Sequence, residues 1–107
     1  MMRRILFAIT VLAATISTAH AADEQAVEIV IQEHAFHPAA LTVHKGTKVV
    51  WINRDEYPHS IEGLSSQFHS PDFETGESFT LITDHVGKIS YQCGVHPLMK
   101  GSIEVTQ

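Results

Sequence analysis

Short stretches of period-two hydrophobicity, broken by Gly, Pro, Asn and Asp, run from Val27 to Val105 and leave no room for a long amphipathic helix. Val27, Ile29 and Ile31 alternate with Glu28, Val30 and Gln32, the pattern of a strand with one buried face. Pro38 marks a turn or edge segment, and Leu41 and Val43 flank Thr42 before a Lys45-Gly46 turn. Lys48 to Asn53 is apolar through its middle and suits a strand covered on both sides. His59 to Gly76 reads as loops and short strands. Ser78 to Thr83 returns to β-type residues. Beyond Gly87, the residues Ile89, Tyr91 and Cys93 share one strand face, and Ile103 and Val105 alternate with Glu104 at the end. The expectation is an all-β chain: an antiparallel β-sandwich with Greek-key connections and about seven to eight strands.

The first residues fall outside that pattern. Arg3 and Arg4 precede an apolar run from Ile5 to Ile16 that is short for a bilayer span, and Ala19-His20-Ala21 has the small-residue spacing of a cleavage site. Residues 1–21 are therefore expected to be a signal peptide and residues 22–107 the folded domain, secreted and without stable membrane insertion; an uncleaved anchor is the alternative. Without Arg3 and Arg4, five basic side chains face twelve acidic ones, which argues against a nucleic-acid partner. The acidity keeps a small monomer soluble and is available to steer a basic protein partner. A domain of this size has a modest core, and a disulfide cannot staple it because Cys93 is the only cysteine. A lone thiol in an oxidising compartment needs burial, an intermolecular partner or a metal.

Metal is the reading that the surrounding residues favour. Cys93-Gly94-Val95-His96-Pro97-Leu98-Met99 is a C-x2-H-x2-M loop between two expected strands, so that a thiolate, an imidazole and a thioether emerge close together. His59, following Pro58 just beyond the Trp51–Asn53 strand end, supplies a second imidazole. Two nitrogens and a thiolate with a weak axial sulfur are the requirement of a blue copper site, whereas structural zinc rarely takes a thioether. Taken singly, each residue has a plainer explanation, since buried cysteines, filler methionines and surface histidines are common. Together, in a secreted β-rich chain, they point to one copper ion. Ser, His and Asp are present, but no nucleophile elbow accompanies them, so an enzyme is not expected. The rival function is copper binding or delivery through the same ligands.

On these residues the chain resembles the cupredoxins, and within them the amicyanins. The likeness covers most of the domain and is sharpest in Trp51-Ile52-Asn53-Arg54 with Pro58-His59, and in Cys93-x2-His96-Pro97-x-Met99 with Lys100-Gly101. The resemblance implies a periplasmic electron carrier with one type 1 Cu(I)/Cu(II) ion. His59, Cys93 and His96 would be its equatorial ligands and Met99 the axial one. Asn53 would hydrogen-bond to the ligand loop and tie the two ligand-bearing segments together. Redox proteins, as electron donor and acceptor, would dock on the apolar surface of Val95, Pro97 and Leu98 around His96.

Two departures stand out. The interval from His59 to Cys93 is shorter than in amicyanins, which implies different loops around Ser65 to Pro71. Gly94-Val95 replaces Thr-Pro, and the Val95 amide hydrogen is expected to reach the thiolate and raise the potential. Among the remaining residues, His34-x2-His37 reads as a solvated turn rather than a second metal site, and His69 as a surface residue. Asp55, Glu56 and Lys100 read as solvated charges near the ligand segments, and Trp51 as core. Tyr91 reads as a core ring whose hydroxyl reaches backbone.

Overall fold

Eight strands form where the period-two pattern runs: β1 (Ala26–Gln32), β2 (Ala35–His37), β3 (Ala40–His44), β4 (Lys48–Asn53), β5 (Glu62–Gly63), β6 (Ser78–Ile82), β7 (Gly87–Gln92) and β8 (Lys100–Thr106). The computed structural model describes residues 8–15, 26–65 and 68–107, and no helix occurs among them. The expected leader, with its Ala19-His20-Ala21 cleavage pattern, lies largely outside the described residues.

The strands make two four-stranded sheets, ordered β2-β1-β4-β6 and β3-β8-β7-β5. The sandwich is as expected, but the pairing is mixed rather than purely antiparallel. β1 runs parallel to β4 and β3 parallel to β8, while the other pairs are antiparallel. The reason lies in the connections. The chain leaves the first sheet after β2, lays β3 into the second, and returns as β4, so β4 re-enters beside β1 in the same direction. A sandwich crossover of this kind permits parallel neighbours that a hairpin forbids.

Side-chain alternation assigns the core. Ile29 and Ile31 of β1, Val49 and Trp51 of β4, Tyr91 of β7, and Ile103 and Val105 of β8 are buried between the sheets. In β4 the intervening Val50 and Ile52 are only half-buried, so one face is covered fully and the other in part. Trp51 stands edge-on to Tyr91, with ring centroids 5.3 Å apart, and Phe36 packs edge-on against the same Tyr91 at 4.8 Å. Gly101 lies opposite Tyr91 in the β7–β8 register, where a Cβ would run into the Tyr91 ring and hydroxyl, so only glycine lets the ring lie flat across β8.

The Tyr91 hydroxyl does not reach backbone as expected; it and the Trp51 indole N–H are buried without hydrogen-bond partners among the described residues. Burial pushes the hydroxyl up to about 12. A group raised in the folded state contributes stability that is intact below its unfolded value, near 10, and lost as the pH climbs toward 12. Two units correspond to about 2.7 kcal/mol. Tyr91→Phe, which leaves no orphaned hydroxyl, should therefore stay within about 1 kcal/mol of wild type at pH 7 and resist unfolding between pH 10 and 12 better than wild type. Denaturant titrations across that range measure both effects, and a parallel loss of stability in the two proteins would refute the assignment.

Candidate metal centre

The site is assembled at one end of the sandwich from two segments that meet edge to edge. The first follows β4. There His59 exchanges backbone hydrogen bonds with Phe73 in both directions (3.2 and 2.8 Å), which fixes its backbone beside the Phe73 strand fragment. The second is the loop joining β7 to β8. It is pinched shut by Cys93 N–H donating to Met99 C=O (3.0 Å) and Met99 N–H donating to His96 C=O (2.9 Å). The pinch gathers three of the sequence-predicted residues into one turn, and Met99 is itself 5% exposed.

Cys93 and His59 are fully buried and His96 is half-buried. The Cys93 sulfur lies 3.6 Å from His59 Nδ1 and 3.9 Å from His96 Nδ1. One donor atom from each residue falls within 4.8 Å of the others, and this is the single His, Cys and acid cluster of metal-binding spacing among the described residues. The two segments thus bring His59, Cys93 and His96 together, with both imidazoles presenting Nδ1 to the sulfur.

Asp55 explains why Nδ1 is free. Its carboxylate is buried and accepts from His59 Nε2–H (2.8 Å), which places the ring proton on Nε2 and leaves the Nδ1 lone pair facing the sulfur. Burial lowers the proton affinity of His59 more than Asp55 restores it, so the ring is held below its ordinary value and is neutral at pH 7. Burial alone would raise the Asp55 carboxyl, but the His34 amide, the His59 ring and the Glu33 amide together hold it below 3.8. Asp55 is therefore a buried anchor, not the solvated charge expected from sequence.

Two supporting roles also differ from expectation. Asn53 does not reach the ligand loop. Its Nδ2 donates to Tyr57 C=O (2.7 Å) and Phe73 C=O (3.0 Å), and its Oδ1 accepts from the Asp55 amide, so it shapes the turn that carries Asp55 and His59. The segments are joined by Ser60 instead: its Oγ accepts from Gly94 N–H (3.1 Å) and its own amide points at the Cys93 sulfur (3.5 Å). A Cβ on Gly94 would stand 2.6 Å from that Oγ, so glycine permits the close approach. The amide directed at the thiolate is thus that of Ser60, and no Val95 N–H hydrogen bond to the sulfur occurs among the described residues; Val95 stands 43% exposed on the rim.

His34 was expected in a solvated turn. It is exposed, but its ring stands edge-on to His96, centroids 4.9 Å apart, and to His59 at 5.7 Å. His37 turns away and bonds to Gln32 C=O (3.1 Å). An Asp four residues before the buried His was the available signal for Asp55. For His34 the sequence carried no comparable signal.

A two-sheet sandwich with a buried cysteine sulfur, one buried and one half-buried imidazole, and a methionine closing the ligand loop defines a mononuclear soft-metal centre. The chain belongs to the cupredoxin-like domain family, whose match spans residues 5–105. Among curated relatives it is similar to amicyanin of Paracoccus denitrificans, 27% identical over 85 residues that cover 75% of this chain and 65% of the relative. The chain thus spans just under two thirds of that relative's length. Its fold matches a purple cupredoxin from Nitrosopumilus maritimus (29% identity, TM-score 0.71, 75% of this chain and 99% of that one). It also matches 22% of a copper-containing nitrite reductase from Thermus scotoductus (26% identity, TM-score 0.71, 76% of this chain). The family and the donor set, one cysteine sulfur with two imidazole nitrogens, together assign one copper ion as the cofactor.

Proposed function

We propose that the protein is a periplasmic blue copper carrier that accepts and releases one electron at a time, with His59, Cys93 and His96 as equatorial ligands and Met99 as the axial one. In this reading residues 1–21 are a leader removed on export and residues 22–107 are the carrier. The observation that carries it is the convergence of one donor atom each from His59, Cys93 and His96 within 4.8 Å, with His59 held in the metal-ready tautomer by Asp55.

Copper supplies the Cu(I)/Cu(II) couple, and the chain supplies what keeps that couple fast. Cys93 and His59 are sealed from water, and the ligand loop is clamped at both ends. Ser60 N–H faces the thiolate and stabilises negative charge on sulfur. Donors fixed in this way need little rearrangement when the charge of the ion changes. His96, at the edge of a shallow apolar surface of Val95, Pro97 and the almost fully exposed Leu98, is the route to a redox partner. Among the described residues no helix is long and apolar enough to cross a membrane.

The test is to load the mature protein with Cu(II) and cycle it between ascorbate and ferricyanide in the presence of a competing Cu(I) chelator. A carrier keeps its full copper complement, measured by elemental analysis, through repeated cycles. Loss of the ion to the chelator in the first reduction would identify a delivery protein instead.

A further inference from the structure

We propose that His34 is a copper-capturing ligand that, with His96, forms an outer two-imidazole site through which the ion enters before Cys93 and His59 take it over. The inference rests on the copper reading above and adds a residue and a step to it.

Burial sets the problem. Cys93 and His59 are fully buried, so a hydrated ion arriving from solvent meets neither of them first. His96 is half-buried, and among the described residues the further imidazole packed beside it is the exposed ring of His34. His34, His96, Leu98 and Met99 line one shallow cavity over the site.

The spacing suits a shared ion. With metal–nitrogen bonds of about 2.0–2.1 Å, two imidazoles on adjacent coordination positions have ring centroids about 4.5–5.2 Å apart. The His59–His96 pair, the inner one, stands at 5.1 Å; the His34–His96 pair stands at 4.9 Å. His34 and His59 are further apart, at 5.7 Å, which suits consecutive rather than simultaneous use.

The turn that presents His34 is fixed in geometry. Glu33 and His34 are the two central residues of the β1–β2 hairpin, both left-handed at φ 54° and 53° as a two-residue turn of this kind requires, which sets the direction in which His34 leaves the backbone. Both amides are fixed by Asp55, at 2.7 and 3.0 Å, and the same carboxylate fixes His59. One side chain thus fixes the backbone that carries the outer imidazole and the ring of the inner one.

The exchange balances without any oxidant. The lone pairs of His34 and His96 displace two water molecules from Cu(II). Cys93 then gives its thiol proton to solvent as its sulfur binds, and His59 Nδ1 replaces the His34 nitrogen. The oxidation state is unchanged.

The test is the rate at which apo-protein develops its thiolate-to-copper band on mixing with Cu(II), in wild type, His34→Phe and His34→Ala. Phenylalanine keeps the ring packing and removes the donor. Both variants should reach the wild-type spectrum and one copper per chain, but about tenfold more slowly or worse, because the second imidazole no longer acts at high effective concentration. Added free imidazole should accelerate His34→Ala and leave wild type unchanged. Loading of His34→Phe within about twofold of wild type would show that the ring only packs, and would overturn the proposal. A variant with an altered final spectrum would also overturn it, by making His34 part of the resting site. Wild type that never develops the band would sink the copper reading as a whole; normal wild-type loading with fast variants sinks this step alone.

Discussion

Cys93→Ser should abolish the intense visible absorption of the copper-loaded protein and replace its narrow paramagnetic signature with that of an ordinary nitrogen and oxygen site. The band arises from charge transfer between thiolate and Cu(II), and Cys93 is the only thiolate that the chain can offer. Serine keeps the size and loses the soft donor, so copper affinity should fall by more than the roughly 10–100-fold typical of removing a group that only supports a ligand. Part of the fold should also weaken. The sulfur sits at 0% exposure between the Ser60 amide and two imidazoles, and a hydroxyl there must find a partner or forfeit about 1–3 kcal/mol. A blue band that persisted in the serine variant would place the metal elsewhere.

Asp55→Ala should unfold about 3 kcal/mol more easily than wild type and bind copper more weakly. The carboxylate accepts three hydrogen bonds, from the Glu33 and His34 amides and from His59 Nε2, and hydrogen bonds to a charged group are worth about 1.5–3 kcal/mol each when buried. The two amides lie in a partly exposed turn and recover some of that loss from water, so the sum is not realised in full. Without the carboxylate, nothing fixes the His59 proton on Nε2, and part of the population presents a protonated Nδ1 to the metal. The acid limb provides a control. Asp55 is held below 3.8 in the folded state, so its contribution is present above that value and lost as the pH falls through the folded pKa. The gap between wild type and Asp55→Ala in denaturant midpoint should therefore narrow in acid. An equal gap at pH 3 and pH 7 would assign the loss to packing rather than to charge.

What the sequence disclosed was whatever is local. Cys93, His96 and Met99 stand within seven residues and two strand ends, so spacing and residue type alone placed them together. The strands were equally readable, because a face that alternates burial writes itself into β1, β4 and β8 one residue in two. Asp55 was not, since its burial arises only when the β1–β2 turn, more than twenty residues away, folds over it and contributes two amides. His34 followed the same logic from the other side. Asn53 was identified as a structural residue, but its partners turned out to be Tyr57 and Phe73, and Ser60 makes the link to the ligand loop. The parallel pairings were invisible for a related reason: direction depends on which sheet the chain visits between two strands, and no single strand records it.

Those parallel pairings also tie the metal end of the molecule to distant parts of the chain. β8 closes the ligand loop against β7 and also pairs with β3, where His44 lies opposite Thr106 although the two are 62 residues apart in sequence. Contacts of such long range are entropically late and make folding slow. The two hydrogen bonds that pinch the ligand loop sit directly on the β7–β8 ladder, so the pocket is braced by a strand whose other edge is anchored on β3, and damage to that distant edge should loosen the ligand loop as well.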